Sequence, residues 1–439
     1  MDKAIALARP LLEALPGSVR NFNYRLITPF VIWGGFLILL LLFLFLHFAA
    51  PEPRRPVPSE KLYTTVLEDG TVTEPQTLSC WHDRAVLDWA EAKKKGNPID
   101  IHKAIEPADV FMTVVVPAYN EEQRLRGMLE ETVTFLEDEY GRVEEGQSPT
   151  KETTTTQPKK RKQANGTTEK PTPNASRGWE ILLIDDGSTD ATVKIAEDFS
   201  RTHQLPNRAR RLSGPWTHGR TASDAVKIPP GSIRIISLVK NRGKGGAVTH
   251  GMRHARGQYV VFADADGASR VDDLAKLVSA CKKAEDGENR AVAVGSRAHL
   301  VDSEAVVQRS KLRNFLMHSF HVLLRVLTPP KTAQIKDTQC GFKLFSRATL
   351  PYIVPHMHSE GWIFDVEMLM LAEMAAIPVV EVPIGWQEVK GSKLNVVWDS
   401  LGMAFGLAAL RFCWGFGIYA SGPSTTEDLP PLEPVYARW

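Results

Sequence analysis

The run Tyr259-Val260-Val261-Phe262-Ala263-Asp264-Ala265-Asp266-Gly267 joins an apolar segment to two aspartates that are one residue apart. The apolar and β-branched residues predict a strand that ends at the aspartates. Alternate side chains of an extended chain share one face, so Asp264 and Asp266 can point the same way. Two carboxylates at this spacing suit one hard divalent cation that also binds phosphate oxygens. A polar strand end that caps the next helix is the alternative, and the motif alone leaves both interpretations open.

Four other apolar runs predict further strands of the same domain, and stretches with helical character separate them. These runs cover residues 110–116, 179–184, 233–238 and 291–295. Strands that alternate with helices are typical of an α/β domain with a mostly parallel sheet, which binds ligands beyond the carboxyl ends of its strands. Five residues fall at that edge: Tyr119, Asp186, Lys244, Asp264 and Arg297. Their convergence favours a binding role for the aspartate pair.

A glycine-rich run, Asn241-Arg242-Gly243-Lys244-Gly245-Gly246, follows the third predicted strand. It lacks the third glycine of a dinucleotide fingerprint, and it lacks the Gly-x-x-x-x-Gly-Lys-Ser/Thr pattern of a P-loop. Glycine permits unusual backbone conformations both in tight turns and where the backbone approaches a ligand. The run is therefore either a strand-to-helix turn or part of a binding site, and both interpretations remain open.

The composition excludes several classes of protein. A formal net charge of +2 argues against a general binder of nucleic acid or of another polyanion. The four cysteines are scattered at positions 80, 281, 340 and 413, with no Cys-x-x-Cys pair. This pattern predicts neither a zinc ribbon nor a disulfide framework, and it suits a reducing compartment.

The segment 26–50 predicts a single N-terminal membrane anchor. It is almost wholly apolar, and residues 30–46 carry no charge. Its length exceeds the ~20 residues that a helix needs to cross a bilayer. A cleaved signal peptide is the alternative, but its apolar core usually has only about 7–15 residues. Basic residues flank both ends about equally, so the positive-inside rule gives no orientation.

Composition and apolar periodicity divide the remainder of the chain. The predicted segments are an arm (1–25), a proline-rich stalk and linker (51–108), the α/β domain (109–395), a membrane-associated helical segment (396–420) and a tail (421–439). Two basic inserts of the domain, at about 141–178 and 202–231, are predicted to be disordered. Residues 308–328 predict an amphipathic helix that either faces the core or lies in a membrane interface. Segment 396–420 either lies on the membrane or crosses it.

Five short motifs in sequence order resemble those of the family 2 glycosyltransferases of GT-A fold. They are Val116-Pro-Ala-Tyr-Asn-Glu-Glu122, Ile184-Asp-Asp-Gly-Ser-Thr-Asp190, Asn241-Arg-Gly-Lys-Gly-Gly246, Ala263-Asp-Ala-Asp266 and Val294-Gly-Ser-Arg297. The run Lys336-Asp-Thr-Gln-Cys-Gly-Phe342 resembles the branch that transfers glucose to dolichyl phosphate. Relatives that transfer mannose would carry Gln soon after the second aspartate, where this chain has Gly267-Ala268-Ser269. The resemblance covers roughly residues 110–420 apart from the two basic inserts.

The resemblance implies an inverting enzyme with UDP-glucose as donor, dolichyl phosphate as acceptor and Mg²⁺ or Mn²⁺ as cofactor. The implied nucleotide-sugar site consists of Pro117, Tyr119, Glu121, Asp186, Asp264, Ala265, Asp266, Arg297 and Lys393. Within this set Asp186 would contact the edge of the nucleotide base, and Asp264 would contact the ribose or the metal. Asp266 would be the principal metal ligand, and the ion would neutralise charge on the departing UDP. Arg297 and Lys393 would clamp phosphates.

The resemblance implies three further residues on the acceptor side. Asp337 would orient or deprotonate the acceptor, although a plain turn aspartate is the alternative. Arg309 and Arg313 of the amphipathic segment would contact the acceptor phosphate. The implied catalytic set is therefore Asp266, Asp337 and Arg297.

The resemblance also implies a location. An enzyme of this kind would work at the endoplasmic reticulum membrane in lipid-linked oligosaccharide assembly for protein N-glycosylation. UDP-glucose is made in the cytosol, so the catalytic domain would face it, with the lipid bilayer as a partner. Two alternatives stay open, namely the same chemistry with GDP-mannose and a non-catalytic membrane scaffold of the same fold.

Overall fold

The computed structural model describes residues 24–50, 52–97, 99–103, 105–141, 177–203, 210–211, 214–216, 221–222, 228–300, 319–320, 322–389 and 396–419. Several predicted features lie outside these residues. They are most of the N-terminal arm, most of the first basic insert, the C-terminal tail, Arg309, Arg313 and Lys393.

A seven-stranded sheet forms the centre of the described chain. Its strands are β1 (Val110–Ala118), β2 (Trp179–Asp185), β3 (Ile233–Ser237), β4 (Gly257–Ala263), β5 (Val292–Ser296), β6 (Phe342–Ser346) and β7 (Val379–Pro383). Their order is β7-β5-β6-β4-β1-β2-β3. Every pairing is parallel except those of β6, which runs antiparallel to both β4 and β5. The predicted mostly parallel α/β sheet is confirmed, and six strands end at one edge.

Burial on both faces explains why β1 and β2 are continuous apolar runs. All seven residues of β2 are buried, as are seven of the nine residues of β1. Such strands occur where helices cover both faces of a parallel sheet. Helix α3 (Leu125–Tyr140) illustrates the cover, because Leu125, Leu129, Val133 and Leu136 recur at helical spacing and are fully buried.

The described helices surround this sheet and extend beyond it. They are α1 (Tyr24–Ala49), α2 (Trp81–Lys94), α3 (Leu125–Tyr140), α4 (Thr192–His203), α5 (Lys244–His254), α6 (Leu274–Ala284), α7 (Leu350–Ile353), α8 (Phe364–Met374) and α9 (Val396–Gly415). Two short antiparallel strand pairs join Leu62–Tyr63 to Gln76–Thr77 and Arg210–Arg211 to Thr221–Ala222. Residues 319–320 and 322–327 are also helical, with Phe320 and Leu324 buried.

The chain separates into two compact units. Of the described residues, 24–50 and 412–419 form one unit, and those between 52 and 411 form the other. In the first unit α1 occupies the predicted anchor, and its Phe30 and Trp33 side chains are 76% and 70% exposed. Among the residues that the structure describes, no helix has the length and apolarity required to cross a membrane. The prediction that segment 26–50 crosses a bilayer is therefore not confirmed.

Part of the predicted stalk and linker packs on the edge of the sheet. Thr64 forms a bridge with Ile235 of β3, with backbone N–H···O distances of 2.9 Å in both directions. The hydroxyl of Thr65 donates to the carbonyl of Ile233 at 2.6 Å. Glu60 is fully buried and accepts a hydrogen bond from the backbone N–H of Val239 at 2.9 Å. These residues extend the β3 side of the sheet.

Candidate active site

The loops that follow β1 and β2 are tied together at the carboxyl edge of the sheet. The Asn120 amide oxygen accepts from the Thr189 backbone N–H at 2.7 Å, and Asn120 N donates to the Ser188 hydroxyl at 2.9 Å. Glu121 N donates to the Thr192 hydroxyl at 2.7 Å. The residues joined by these bonds are 68 to 71 positions apart in the sequence, and together they form one rim. Tyr119 stands on that rim with 41% of its surface exposed.

Asp186 anchors the glycine-rich loop. One carboxylate oxygen accepts from the backbone N–H of Arg242 at 2.7 Å, and the other accepts from Gly243 N at 2.9 Å. Burial raises the pKa of Asp186 to about 6, although the two hydrogen bonds from the loop act in the opposite direction and lower it. Both oxygens therefore hold the loop in place, which is a structural task that the predicted contact with a nucleotide base did not include.

The glycine-rich loop delivers a lysine to the aspartate pair. Lys244 is the first residue of α5, and its Nζ lies 2.6 Å from Oδ1 of Asp264. Burial would lower the pKa of Lys244, but the charges of Asp264, Asp365 and Asp266 and the hydrogen bond to Asp264 together outweigh burial, and the pKa is raised. The lysine is therefore held as a cation. The sequence predicts Lys244 at this edge but assigns it no role. The signal that could have shown a role is its place in the glycine-rich run that follows β3.

Asp266 has a different set of partners. Its Oδ1 accepts from the backbone N–H of Ala268 at 3.0 Å, and its Oδ2 lies 3.7 Å from Nη1 of Arg124. Arg124 is itself fixed by a fork to Glu121, with N···O distances of 2.7 and 2.6 Å. Burial, followed by the neighbouring charge of Asp264, raises the pKa of Asp266. Arg124 was not predicted, although it lies just beyond the Val116–Glu122 motif.

The surroundings of the aspartate pair fit a divalent cation. Burial and the charge of Asp264 raise the pKa of Asp266, so a shared positive charge would stabilise the two carboxylates, and carboxylate oxygens are the preferred ligands of Mg²⁺ and Mn²⁺. The backbone also approaches closely, because a Cβ at Gly341 would overlap the carboxylate of Asp264. Glycine at position 341 leaves room for that carboxylate in its present place. Asp264 and Asp266 are the residues that would hold the ion.

A second group of potential metal ligands lies away from this edge. Among the described residues, Cys80, His82 and Asp83 offer ligand atoms within 4.8 Å of one another. Asp83 already pairs with Lys61 Nζ at 2.6 Å, and the Cys80 thiol accepts from Asp83 N at 3.4 Å as the N-cap of α2. These contacts explain why the three residues lie together, since they form a helix cap and an ion pair.

Arg297 and Asp337 form a forked pair at the end of β5. Arg297 donates through Nε at 2.7 Å and through Nη2 at 2.8 Å, and its backbone N–H adds a third bond at 2.8 Å. Burial would raise the pKa of Asp337, but the guanidinium lowers it below the usual range. A carboxylate with a lowered pKa is a weak proton acceptor, so the pairing argues against Asp337 as a general base. It makes Asp337 the residue that orients Arg297.

A buried ion pair supports the loop that carries Asp337. Lys343 Nζ contacts the carboxylate of Asp365 and donates to the carbonyl of Cys340 at 2.7 Å, and the lysine side chain is fully buried. This pair fixes the turn that brings Gly341 against Asp264. Sequence reasoning missed it because the two charges lie on different elements, β6 and α8.

The structure therefore gathers most of the predicted site at one edge. Tyr119, Asp186, Asp264, Asp266 and Arg297 follow the carboxyl ends of parallel strands. Pro117 lies within β1, and Ala265 is buried between the two aspartates.

Comparisons with known proteins agree with this arrangement. Residues 174–350 match the model of the family described as glycosyl transferase family 2. The dolichyl-phosphate beta-glucosyltransferase of Saccharomyces cerevisiae is 36% identical over 414 residues, which cover 93% of this chain and 98% of that protein. The Drosophila melanogaster protein of the same name is 39% identical, covering 66% of this chain and 72% of the relative. The human one is 36% identical, covering 68% and 74%.

One solved structure that the chain matches is glucosyl-3-phosphoglycerate synthase from Mycobacterium tuberculosis, in complex with Mn²⁺, UDP-glucose and phosphoglyceric acid. It is 15% identical, with a TM-score of 0.42, and the match covers 69% of this chain and 80% of that chain.

Proposed function

The chain belongs to the dolichyl-phosphate beta-glucosyltransferases of glycosyl transferase family 2, and from this premise we propose that it transfers glucose from UDP-glucose to dolichyl phosphate. The products are dolichyl β-D-glucosyl phosphate and UDP. The observation that carries the proposal is the pair Asp264 and Asp266 at the carboxyl edge of a GT-A sheet, flanked by the cations Lys244 and Arg124.

The acceptor supplies its own nucleophile. A phosphate monoester has a second pKa near 6, so at neutral pH it is mostly a dianion. One of its oxygens attacks C1 of glucose on the face opposite the diphosphate. The new C1–O bond forms as the bond from C1 to the β-phosphate oxygen breaks, and the electron pair leaves on UDP. This single displacement inverts C1 and requires no protein base, which agrees with the lowered pKa of Asp337.

The residues of the site have separate tasks in this reaction. Lys244 and Arg124 place two positive charges beside the aspartates, where the negative diphosphate must lie. Mg²⁺ or Mn²⁺ held by Asp264 and Asp266 would supply further neutralisation of the leaving group. Arg297, oriented by Asp337, would bind a phosphate oxygen, because guanidinium groups suit oxyanions. We assign the same task to Lys393, and acceptor binding to Arg309 and Arg313.

A donor assay tests the proposed reaction. Purified protein supplied with Mg²⁺ and dolichyl phosphate should form glucosyl lipid from UDP-glucose and release one UDP for each glucose transferred. GDP-mannose offered in the same way should give little product. Thin-layer separation of labelled lipid measures both. Mannosyl lipid alone would replace this proposal with a mannose synthase, and no lipid product from either donor would favour the non-catalytic scaffold.

We also propose that the enzyme works on the endoplasmic reticulum membrane with its catalytic unit in the cytosol. The acceptor is a membrane lipid, and α1 exposes the apolar side chains described above. Helix α9 adds exposed Trp398, Leu401 and Phe405, of which Trp398 is 72% exposed. These residues recur at helical spacing and would suit a bilayer surface. Single-anchor attachment through segment 26–50 belongs to this proposal.

The cytosolic orientation predicts unmodified sequons. Asn165-Gly-Thr167 and Asn174-Ala-Ser176 are acceptor sites that would carry glycan in the lumen. Native protein should show no mobility shift after glycosidase treatment. A matched control replaces residues 1–50 by a cleavable signal sequence, which sends the same unit into the lumen and should add glycan. Glycan at Asn165 or Asn174 of the native protein would contradict the orientation.

A further inference from the structure

The second basic insert contacts the loop that follows the metal-site aspartates. Residues 214–216 of this insert, Gly-Pro-Trp, form a turn, here called the 214–216 turn. The indole Nε1 of Trp216 donates to the carbonyl oxygen of Gly267 at 3.1 Å. Composition alone predicts disorder for the insert, so this contact gives part of it a defined place.

The carbonyl that Trp216 binds is connected directly to Asp266. The C=O of Gly267 and the N–H of Ala268 belong to one planar peptide group and point in opposite directions. The same N–H donates to Oδ1 of Asp266 at 3.0 Å. A tryptophan that fixes the carbonyl therefore fixes the N–H, and the N–H sets the orientation of the carboxylate. Bonds arranged in such a chain also polarise and strengthen one another.

The 214–216 turn is itself held from the opposite side. The backbone N–H of Trp216 donates to Oε1 of Glu131 at 2.7 Å, and Glu131 is a buried residue of α3. Gly214 lies so close that a Cβ there would overlap the Glu131 carboxylate. A Cβ at Gly385 would lie 3.3 Å from the indole ring of Trp216. The turn is thus fastened to α3 and packed beside the segment that follows β7.

The contacts on both sides of the turn give Trp216 a defined task. We propose that Trp216 is a positioning residue for Asp266, and that it presets this carboxylate for the divalent cation before the donor binds. The proposal rests on the proposed function, because it assumes that Asp266 is a metal ligand. It gives the second insert a role in the reaction, although the insert lies outside the five short motifs of the sheet edge.

Trp216→Phe tests the proposal, because phenylalanine keeps an aromatic ring and removes only the indole N–H. Titration of the full-length protein with Mn²⁺ alone, followed by electron paramagnetic resonance of the free ion, should show Mn²⁺ binding weakened by roughly 10-fold. The kcat for glucose transfer should fall and recover when Mn²⁺ is raised. The KM for dolichyl phosphate should stay unchanged, since Trp216 is proposed to act only through Asp266 and the ion.

Trp81→Phe is the matched control. The Trp81 indole also donates to a backbone carbonyl, that of Met252 at 2.7 Å, but away from the aspartates. It should lose a similar amount of thermal stability and keep wild-type affinity for Mn²⁺. Equal Mn²⁺ affinities for wild type, Trp81→Phe and Trp216→Phe would overturn the proposal.

A second variant covers the case in which Trp216→Phe does not fold. Gly214→Ala displaces the turn from Glu131 and should weaken Mn²⁺ binding by a comparable factor, whereas wild-type affinity in this variant would count against the proposal. The wild-type titration separates this proposal from the function itself. If wild-type protein binds no Mn²⁺, the metal site and the positioning role are both contradicted. If wild-type protein binds Mn²⁺ and Trp216→Phe binds it equally well, only the positioning role is contradicted.

Discussion

Asp266→Asn is expected to reduce kcat by about 1,000-fold or more and to leave the protein at least as stable as wild type. Loss of several kcal/mol of charge stabilisation at the leaving group corresponds to three or more powers of ten in rate. Asparagine keeps the shape of the side chain and an oxygen for the Ala268 N–H, which donates to Asp266 at 3.0 Å. Steady-state glucose transfer and thermal unfolding in EDTA measure the two quantities.

The sign of the stability change follows from the electrostatics of the metal-free site. Burial and the charge of Asp264 raise the pKa of Asp266, so the fold favours the protonated form more than the unfolded chain does. A carboxyl with a raised pKa therefore costs stability when it is ionised at neutral pH, and this cost disappears as the pH falls from the raised pKa of the folded state to the ordinary pKa of the unfolded chain. A neutral amide removes the cost at every pH. Asp266→Ala should lose the same activity but also the bond to Ala268.

Asp272→Asn is the control for this prediction. Asp272 is 57% exposed and pairs with Arg270 at 3.0 Å a few residues further along the chain. It should change kcat less than twofold, because exposed ion pairs contribute little. Wild-type activity in Asp266→Asn would show that Asp266 does not bind the metal. Loss of stability and activity together would assign it a structural role.

The parts of the sheet that could be predicted are those with a mostly apolar pattern. Strands β1 to β5 are mostly apolar and mostly buried, which leaves a clear signal. Strand β6 breaks the pattern, because Lys343 lies in the buried centre and is neutralised by Asp365 of a later helix. Strand β7 contains Glu381, whose carboxylate accepts the backbone N–H groups of Lys336 and Asp337 at 3.0 Å. Charges with distant partners hide a strand from periodicity.

The same distinction applies to the site. Asp264 and Asp266 could be found because one strand end carries both. The pairing of Arg297 with Asp337 could not, since 40 residues separate them and the antiparallel β6 brings them together. This pairing means that Arg297 and Asp337 do not act independently, because Asp337 orients the guanidinium of Arg297. The placement of Trp216 was equally hidden, because the basic composition of its insert predicts disorder.

Lys244→Met is expected to strengthen Mn²⁺ binding in the absence of donor and to weaken catalysis. Lys244 Nζ lies 2.6 Å from Asp264, so in the free enzyme the ammonium occupies space beside a proposed metal ligand. Removing it should improve Mn²⁺ affinity by roughly 3- to 10-fold, since a partly exposed pair is worth about 1 kcal/mol. The lost cation would have neutralised the diphosphate, and we expect kcat to fall by about 100-fold.

Thermal unfolding of Lys244→Met provides an independent measurement. In EDTA the melting temperature should fall, because Asp264 then lies beside Asp266 without its neighbouring ammonium. Mn²⁺ should restore more stability to this variant than to wild type, since the ion replaces the missing charge and binds more tightly. Lys276→Met is the control, because Lys276 pairs with Asp273 at 2.7 Å but is 63% exposed and away from the aspartate pair. Unchanged Mn²⁺ affinity in Lys244→Met would mean that the lysine and the ion do not compete for Asp264.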